Sequence, residues 1–370
     1  MQALPQNRFA AGVSWCMSNR QYSDESKAMT MNIRAWLFFF VTLFLSVSAA
    51  SAQDLKFFRI GTGATSGTYF VIGGMIANAV SSPPGARACG DGGSCGVPNL
   101  IAVAQSTEGT VANLQLLKKG EIESALVQAD LATLAFTGKP PFTSKTAVKD
   151  IRLIATLYLD MMHIIVPKDS KIKSIKDLRG KRIAIGELNS GSAATARLVL
   201  SASGLAPSSY KATYGKIDKA IAGLSTQKPA QKIAAMVVVG GYPQPAVQEL
   251  ARSIPVRLLS IDEKTLAKLT EKYAFYQAAT IPKDTYAGID ATQTVALQAL
   301  WIASSTVPPE TIYGITKALW SNPTQTLLKQ GHPQAKIISF ENAVGTTAIP
   351  LHEGAAKFYG EQAEKTKNKQ

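Results

Sequence analysis

The sequence predicts an α/β protein of two lobes, each a mainly parallel sheet flanked by helices, with a cleft between them. Three observations carry that expectation. Short apolar runs recur ahead of glycine- and hydroxyl-rich turns, and each turn opens a stretch whose apolar residues fall at helical spacing. Two further apolar runs, Ile151 to Val166 and Thr294 to Val307, are long enough to cross from one lobe to the other. A chain of 370 residues with 46% hydrophobic and 17% charged content also exceeds one ordinary core. Repeated strand-turn-helix units imply parallel pairing, and in such sheets ligands sit beyond the carboxyl ends of the strands.

Residues 1–52 are read as a leader. Met31 begins a basic segment with Arg34, an apolar run follows from Ala35 to Val47, and Ala50-Ser51-Ala52 offers a small-x-small cleavage site before Gln53. The run is too short for a comfortable membrane span. Residues 1–28 lie upstream of an ordinary signal, which points to Met29 or Met31 as the start. No cysteine follows the cleavage site, so a lipid anchor is not expected, and the mature protein is expected to be a soluble monomer in the periplasm.

Dropping the four cations and two anions of 1–52 takes the net charge from +14 to +12. The basic residues are dispersed and carry no aromatic-basic motif, so they read as solubility and mild attraction for anions, not as a nucleic-acid surface. Cys89 and Cys95 lie close together in ACGDGGSCGVP and, in an oxidising compartment, are expected to form a short-loop disulfide. Metal binding is the lesser reading, because two thiols need further ligands and no histidine is near. Gly92 to Gly96 matches the Gly-x-Ser-x-Gly of serine hydrolases but lacks the apolar strand that must precede it.

In chain order, Phe57 to Ile60 is a strand, Gly61 to Gly67 a turn, and Thr68 onward a helix. A helix opening on such a turn aims unpaired N–H groups and the positive end of its dipole at one spot, which suits a carboxylate or phosphate. Thr65, Ser66, Thr68 and Tyr69 are the candidate contacts, and a plain helix cap by Ser66 or Thr68 is the alternative. The glycines resemble a dinucleotide turn, but 80–86 reads VSSPPGA where the ribose-binding acid belongs. No cofactor is therefore expected.

Residues 81–98 form a Pro- and Gly-rich loop, and Asn99 to Ala104 a strand. The second hydroxyl turn, Gln105 to Thr110, adds Ser106 and Thr110 and opens a helix through Leu117. Ala125 to Val127 is a strand ending at Gln128, a candidate ligand contact, with Asp130 a cap for the next helix. The first crossing run is expected to break at Asp160, and Tyr158 lies within it. After a basic connector, Arg182 to Ile185 is a strand, and the third turn, Asn189 to Ser192, supplies Ser190, Gly191 and Ser192. Val237 to Val239 is a buried strand ending in Gly240-Gly241-Tyr242-Pro243, with Tyr242 a candidate pocket wall and a helix from Pro245 to Arg252. Val256 to Ser260, Asp262 to Thr270 and Tyr273 to Thr280 complete the second lobe, and helices near Glu310–Trp320 and Leu351–Gln362 pack back on the first. The lobes are expected as 53–159 with 292–370, and 160–291.

The segments FFRIGTGATSGTY (57–69), VAQSTEGTVANL (103–114), LVQAD (126–130), KIKSIKDLRGKRIAI (171–185), SGSAATAR (190–197), MVVVGGYP (236–243) and IPLHEGAAKFY (349–359), taken in order, resemble the TAXI family of TRAP-associated extracytoplasmic solute receptors. The resemblance spans the mature chain. It implies a type II-like periplasmic binding protein that closes on a glutamate-like amino acid or other small carboxylate and delivers it to the membrane subunits of a TRAP transporter. The family's GTGGTxGTYY becomes GTGATSGTYF here, and its GSGTE becomes NSGSA, so the pocket departs from the pattern. The competing class is a secreted hydrolase or transferase built on one hydroxyl turn. Such an enzyme needs a base beside its nucleophile, and the three histidines, His163, His332 and His352, are scattered.

Overall fold

The computed structural model describes residues 55–345 and 347–368. The expected leader and its cleavage site lie outside them. Strands β1 (Lys56–Gly61), β2 (Ser81–Ser82), β3 (Val97–Pro98), β4 (Leu100–Gln105) and β5 (Ser124–Gln128) alternate with helices α1 (Thr68–Val80), α2 (Thr110–Lys119) and α3 (Ala129–Thr137). Next comes β6 (Ile151–Pro167), then β7 (Arg182–Ala184), α4 (Gly191–Ala202), β8 (Lys211–Thr213), α5 (Ile217–Ser225), β9 (Ala235–Gly240), α6 (Pro245–Ser253), β10 (Val256–Leu258), α7 (Glu263–Lys272) and β11 (Gln277–Ile281). The return strand β12 (Thr292–Ser304) leads to helices α8 (Pro309–Leu319), α9 (Asn322–Gln330), α10 (Pro333–Lys336) and α11 (Glu353–Lys367).

The main path of the sheet runs β3-β2-β4-β1-β5-β12-β6-β9-β7-β8. On one side β1 pairs in parallel with β4 and β5; on the other β7 pairs in parallel with β8 and β9. The long strands β6 and β12 run antiparallel between these two sets, from Met161 opposite Ala296 to Ile151 opposite Ser304. Strand β5 lies on the second half of β12, whereas β9 lies on the second half of β6 and β11 on the first residues of β12. Two parallel units, linked within the sheet by two long strands, make the two-lobed α/β fold.

Burial explains the two-sided layering. Every residue of β5 (SALVQ) and of β9 (AMVVVG) is buried, as befits parallel strands covered on both faces. The first lobe has one core around Phe58, Ile72, Trp301 and Phe358 and another around Leu114, Val127 and Leu300. The second has one around Ile183, Val199, Val237 and Leu269 and another around Met236, Val247 and Tyr286. Cys89 and Cys95 are joined, with Cα atoms 4.6 Å apart, in an exposed loop.

Strand β6 departs from the sequence expectation by running unbroken through Asp160, which stands opposite Leu297 of β12. Backbone pairing does not involve the side chain, and the carboxylate is accommodated by a hydrogen bond from Tyr69 instead.

Candidate functional site

Three helices open on one cavity. The N-termini of α1, α2 and α4 all reach it, through Gly67, Thr68 and Tyr69, through Gly109 and Thr110, and through Ser190, Gly191 and Ser192. The strand ends at Gln128 and Val239-Gly240 complete its floor. Its volume is about 110 Å³, room for roughly seven to eleven water-sized groups.

The helix ends differ in how they are capped. Ser190 caps α4, accepting from Ala193 N at 3.1 Å. Helices α1 and α2 instead have glycine N-caps, Gly67 and Gly109, and neither receives a side-chain cap. Ser66 and Thr68 are thus not caps. Gly109 has φ +108°, a conformation that L side chains rarely adopt. No side chain caps the first turn of α1, whose Gly67, Thr68 and Tyr69 line the cavity, and each helix end adds roughly half a positive charge.

The lobes touch around this space. Thr68 donates to Gly241 O (3.0 Å) and to Gln244 Oε1 (3.2 Å), and Ala112 N donates to Asn189 O (3.0 Å). Asp130 Oδ2 accepts from Thr195 (2.9 Å) and Tyr276 (2.9 Å), while its Oδ1 accepts from Leu131 N. Gln334 Nε2 donates to Tyr242 O at 2.5 Å, and His332 Nε2 lies 2.8 Å from Pro243 O. These bonds join the two lobes around the cavity.

Behind the cavity wall, Tyr69 donates to Asp160 Oδ2 at 2.6 Å. Asp160 Oδ1 and the Tyr158 hydroxyl have no hydrogen-bond partner. Burial pushes the Asp160 carboxyl up to about 7, with the Tyr69 bond pulling down and Asp130 pushing further up. Burial also raises Asp130, against the bonds from Tyr276, Leu131 and Thr195. His163, buried in β6 opposite Val238, is pushed down to about 4 by burial; its ring nitrogens meet Met161 O and the Tyr286 hydroxyl.

Of the residues expected from sequence, Thr68, Tyr69, Thr110, Gln128, Ser190, Gly191 and Ser192 line the cavity. Thr65, Ser66, Ser106, Tyr158 and Tyr242 do not line it: Thr65 is exposed, Ser106 donates to Gly63 O, Tyr158 is buried against Gly241, and Tyr242 offers its carbonyl to Gln334. Several of the hydroxyls that do line it are already engaged. Thr110 Oγ1 accepts from Gln128 N, and Ser192 Oγ accepts from Val239 N at 2.9 Å. No cavity-lining hydroxyl among the described residues is bonded to a histidine, and Ser94 of the Gly-x-Ser-x-Gly loop donates to Ser81 O far along the sequence from this site.

Sequence reasoning missed Glu108, Glu187 and Gln244, which also line the cavity. Two of them had a positional signal: Glu108 lies inside the second hydroxyl turn, and Glu187 comes just beyond Ile185 and Gly186 at the carboxyl end of β7. Glu187 is raised by burial and then by Glu108, with Lys216 acting against them. Among the described residues no group of three or more His, Cys, Asp and Glu is placed to hold a metal, and no helix is long and apolar enough to cross a membrane.

Solved structures similar to this chain include the alkanesulfonate-binding protein SsuA from Xanthomonas axonopodis pv. citri bound to MOPS, at 17% identity, covering 86% of this chain and 94% of that one, with a TM-score of 0.41. The periplasmic aliphatic sulphonate binding protein SsuA from Escherichia coli matches at 15% identity, 85% and 92% coverage and a TM-score of 0.39. An ancestral arginine-binding protein bound to arginine matches at 15%, 74% and 97%, with 0.44. The profile of the NMT1-like family matches residues 60–363. Covering well over half of its length, that match makes the chain a member of the NMT1-like family.

Proposed function

We propose that this protein is an extracytoplasmic solute-binding receptor that captures a small carboxylate by lobe closure and hands it to the membrane subunits of a TRAP-type transporter. The observation that carries the reading is the glycine-capped N-terminus of α1, which no side chain caps and whose Gly67, Thr68 and Tyr69 line a cavity shared with the N-termini of α2 and α4. Three helix ends supply roughly +1.5 of fixed partial charge, which favours a carboxylate set against them, away from Glu108 and Glu187 that also line the cavity. The cavity volume fits a solute of about ten heavy atoms or fewer.

The receptor reading also gives the inter-lobe contacts a role, because a ligand that touches both lobes only when they meet shifts the population toward closure. The hinge is proposed where β6 and β12 pass between the lobes. The lobe boundaries read from sequence, 159/160 and 291/292, fall inside β6 and at the first residue of β12. The TRAP assignment is supported by the TAXI-like segments, and export by the leader pattern at 31–52.

A melting screen over amino acids and small organic acids tests the proposal. A ligand at a hundredfold excess over its Kd stabilises the folded state by about 2.7 kcal/mol. If no small carboxylate raises the melting temperature, the cavity is not a carboxylate site.

A further inference from the structure

The first lobe carries a second concave surface that shares no lining residue with the ligand cavity. A groove of about 560 Å³ runs between residues 336–341, the end of α8, and helices α9 and α11. Its wall is aromatic. The Phe340 ring lies 5.7 Å from those of Trp320 and Tyr359 and 6.4 Å from that of Phe358, and the Trp320 indole N–H donates to the Tyr359 hydroxyl at 3.0 Å. Phe340 is thus held by three rings, yet it stays 38% exposed. Ile337 and Val344 are half exposed, so three of the eight large apolar side chains that stand exposed among the described residues fall within positions 337–344. Single exposed apolar residues are ordinary, whereas a cluster rimmed by polar groups marks an interaction site. The rim here is cationic: Lys329, Lys336 and Lys365 line the groove against one carboxylate, Glu341, and among the described residues none of the three is in an ion pair.

The same segment is tied to the contact between the lobes. Just before it, His332 Nε2 lies 2.8 Å from Pro243 O and Gln334 Nε2 donates to Tyr242 O, both in the second lobe. At its far end Ala343 O accepts from Thr156 N of β6 at 2.8 Å, and Gly345 N donates to Thr156 Oγ1 at 3.3 Å. Parting of the lobes at Tyr242 and Pro243 would release the first end and leave the second.

We infer that residues 336–344 and the groove behind them dock an acidic extramembrane segment of the transporter's membrane component, with an apolar side chain seated against Phe340, and that this surface is complete only when the lobes meet. The inference rests on the receptor reading above and names the surface through which the loaded receptor is recognised. An acidic polypeptide reaches the three lysines while its apolar side chain fills the groove, giving an apolar centre with a charged rim. A second copy of this chain would bring its own excess of cations and set lysine against lysine. A flat lipid surface would meet the exposed side chains but leave the groove unfilled.

The test is uptake of labelled solute, the one the protein carries when purified, by spheroplasts of a host lacking the gene for this chain and supplied with the purified mature protein. Two double variants are compared with the parent: Lys336→Glu with Lys365→Glu, and Ile337→Ser with Val344→Ser, all at exposed positions outside the ligand cavity. Each is expected to raise the receptor concentration for half-maximal uptake at least about tenfold, with solute affinity by calorimetry within about twofold of the parent. Loaded parent is expected to bind the spheroplasts at least about fivefold more tightly than stripped parent. Parent-like uptake with both double variants, or equal binding of loaded and stripped protein, would overturn the inference and leave the receptor reading standing. Binding to phosphatidylglycerol vesicles that both double variants abolish would assign the surface to lipid, and a parent that sediments as a dimer while the variants are monomers would assign it to a second copy; either overturns the inference. No uptake with the parent itself would remove the receptor reading and the inference with it.

Discussion

Gly241→Ala separates closure from ligand contact. Gly241 does not line the cavity, yet a Cβ there would lie 2.8 Å from Tyr158 Cε2, 2.8 Å from Gln334 Cγ and 2.9 Å from Thr68 Cγ2. All three neighbours are at most 3% exposed and belong to elements of the first lobe, so none swings away freely. Restoring ordinary contact requires each to retreat by about half an ångström, and overpacking of this kind costs about 1–3 kcal/mol. If the lobes part at this contact when open, the cost falls on the closed state alone. Ligand affinity should then drop roughly five- to 150-fold, at 1.4 kcal/mol per tenfold, while the unliganded melting temperature stays near that of the parent. Titration calorimetry and small-angle scattering, with a saturating ligand from the screen, read both quantities. Gly74→Ala is the control, because its Cβ meets nothing within 4 Å and alanine favours the helix. Undiminished affinity together with an undiminished ligand-induced compaction in Gly241→Ala would refute the reasoning.

Asp160 gives a pH signature. Its carboxyl is raised from 3.8 to about 7, so the folded state holds a proton that the unfolded state has lost; the resulting stability is complete below about 4 and disappears as pH rises through about 7. Asp160→Asn should remove this dependence, of which about 2–3 kcal/mol falls between pH 5 and pH 8, seen as the difference between variant and parent in urea melts at those two pH values. His163, held down at about 4, works the opposite way between 6.5 and 4, and the difference measurement cancels it. A pH-independent difference would mean that Asp160 is ionised throughout. Thr68→Val should weaken ligand binding by about 1 kcal/mol, roughly fivefold, through the lost bond to Gly241 O, whereas Ser192→Ala, whose hydroxyl accepts from Val239 N within one lobe, should lower the melting temperature more than the affinity. Equal effects of the two variants on affinity would place both hydroxyls on the ligand. Replacing Cys89 and Cys95 by serine should cost about 2 kcal/mol from the short loop they close, with ligand affinity unchanged, as denaturant titration and calorimetry would show. A change in affinity would tie this distant loop to closure.

Much of the fold was legible because it is written in local pattern. The run at 57–80 shows its strand, glycine turn and helix directly, and they appear as β1 and α1. The apolar runs at 125–127 and 237–239 likewise sit in β5 and β9. Elements with weak signals were passed over: β8 is the polar tripeptide KAT, and α5 follows Gly215 with only Gly223 and Leu224 buried. Short helices α9 and α10 lack a long apolar stripe for the same reason.

The site was legible in its three turns but not in how they are used. Thr68 and Gly241 are 173 residues apart, and Thr195 and Asp130 are 65 apart, so pairing between them is set by how the lobes meet and not by any local pattern. Hydroxyls read from sequence as ligand donors are partly spent on holding backbone groups, as with Thr110 on Gln128 N. Glu187 has no meaning until β7 carries it to the cavity beside Glu108, and only that meeting shows an acidic pole.

The central claim is that the cavity beneath α1, α2 and α4 binds a small carboxylate and closes on it. Release and mass-spectrometric identification of solute from the exported, freshly purified protein, followed by back-titration of that solute into the stripped chain with scattering at each step, tests it most directly. The account predicts a stoichiometric solute of about ten heavy atoms or fewer bearing a carboxylate, and a radius of gyration that falls as it is restored. A stoichiometric solute without a carboxylate, or a carboxylate whose return leaves the radius of gyration unchanged, would contradict it.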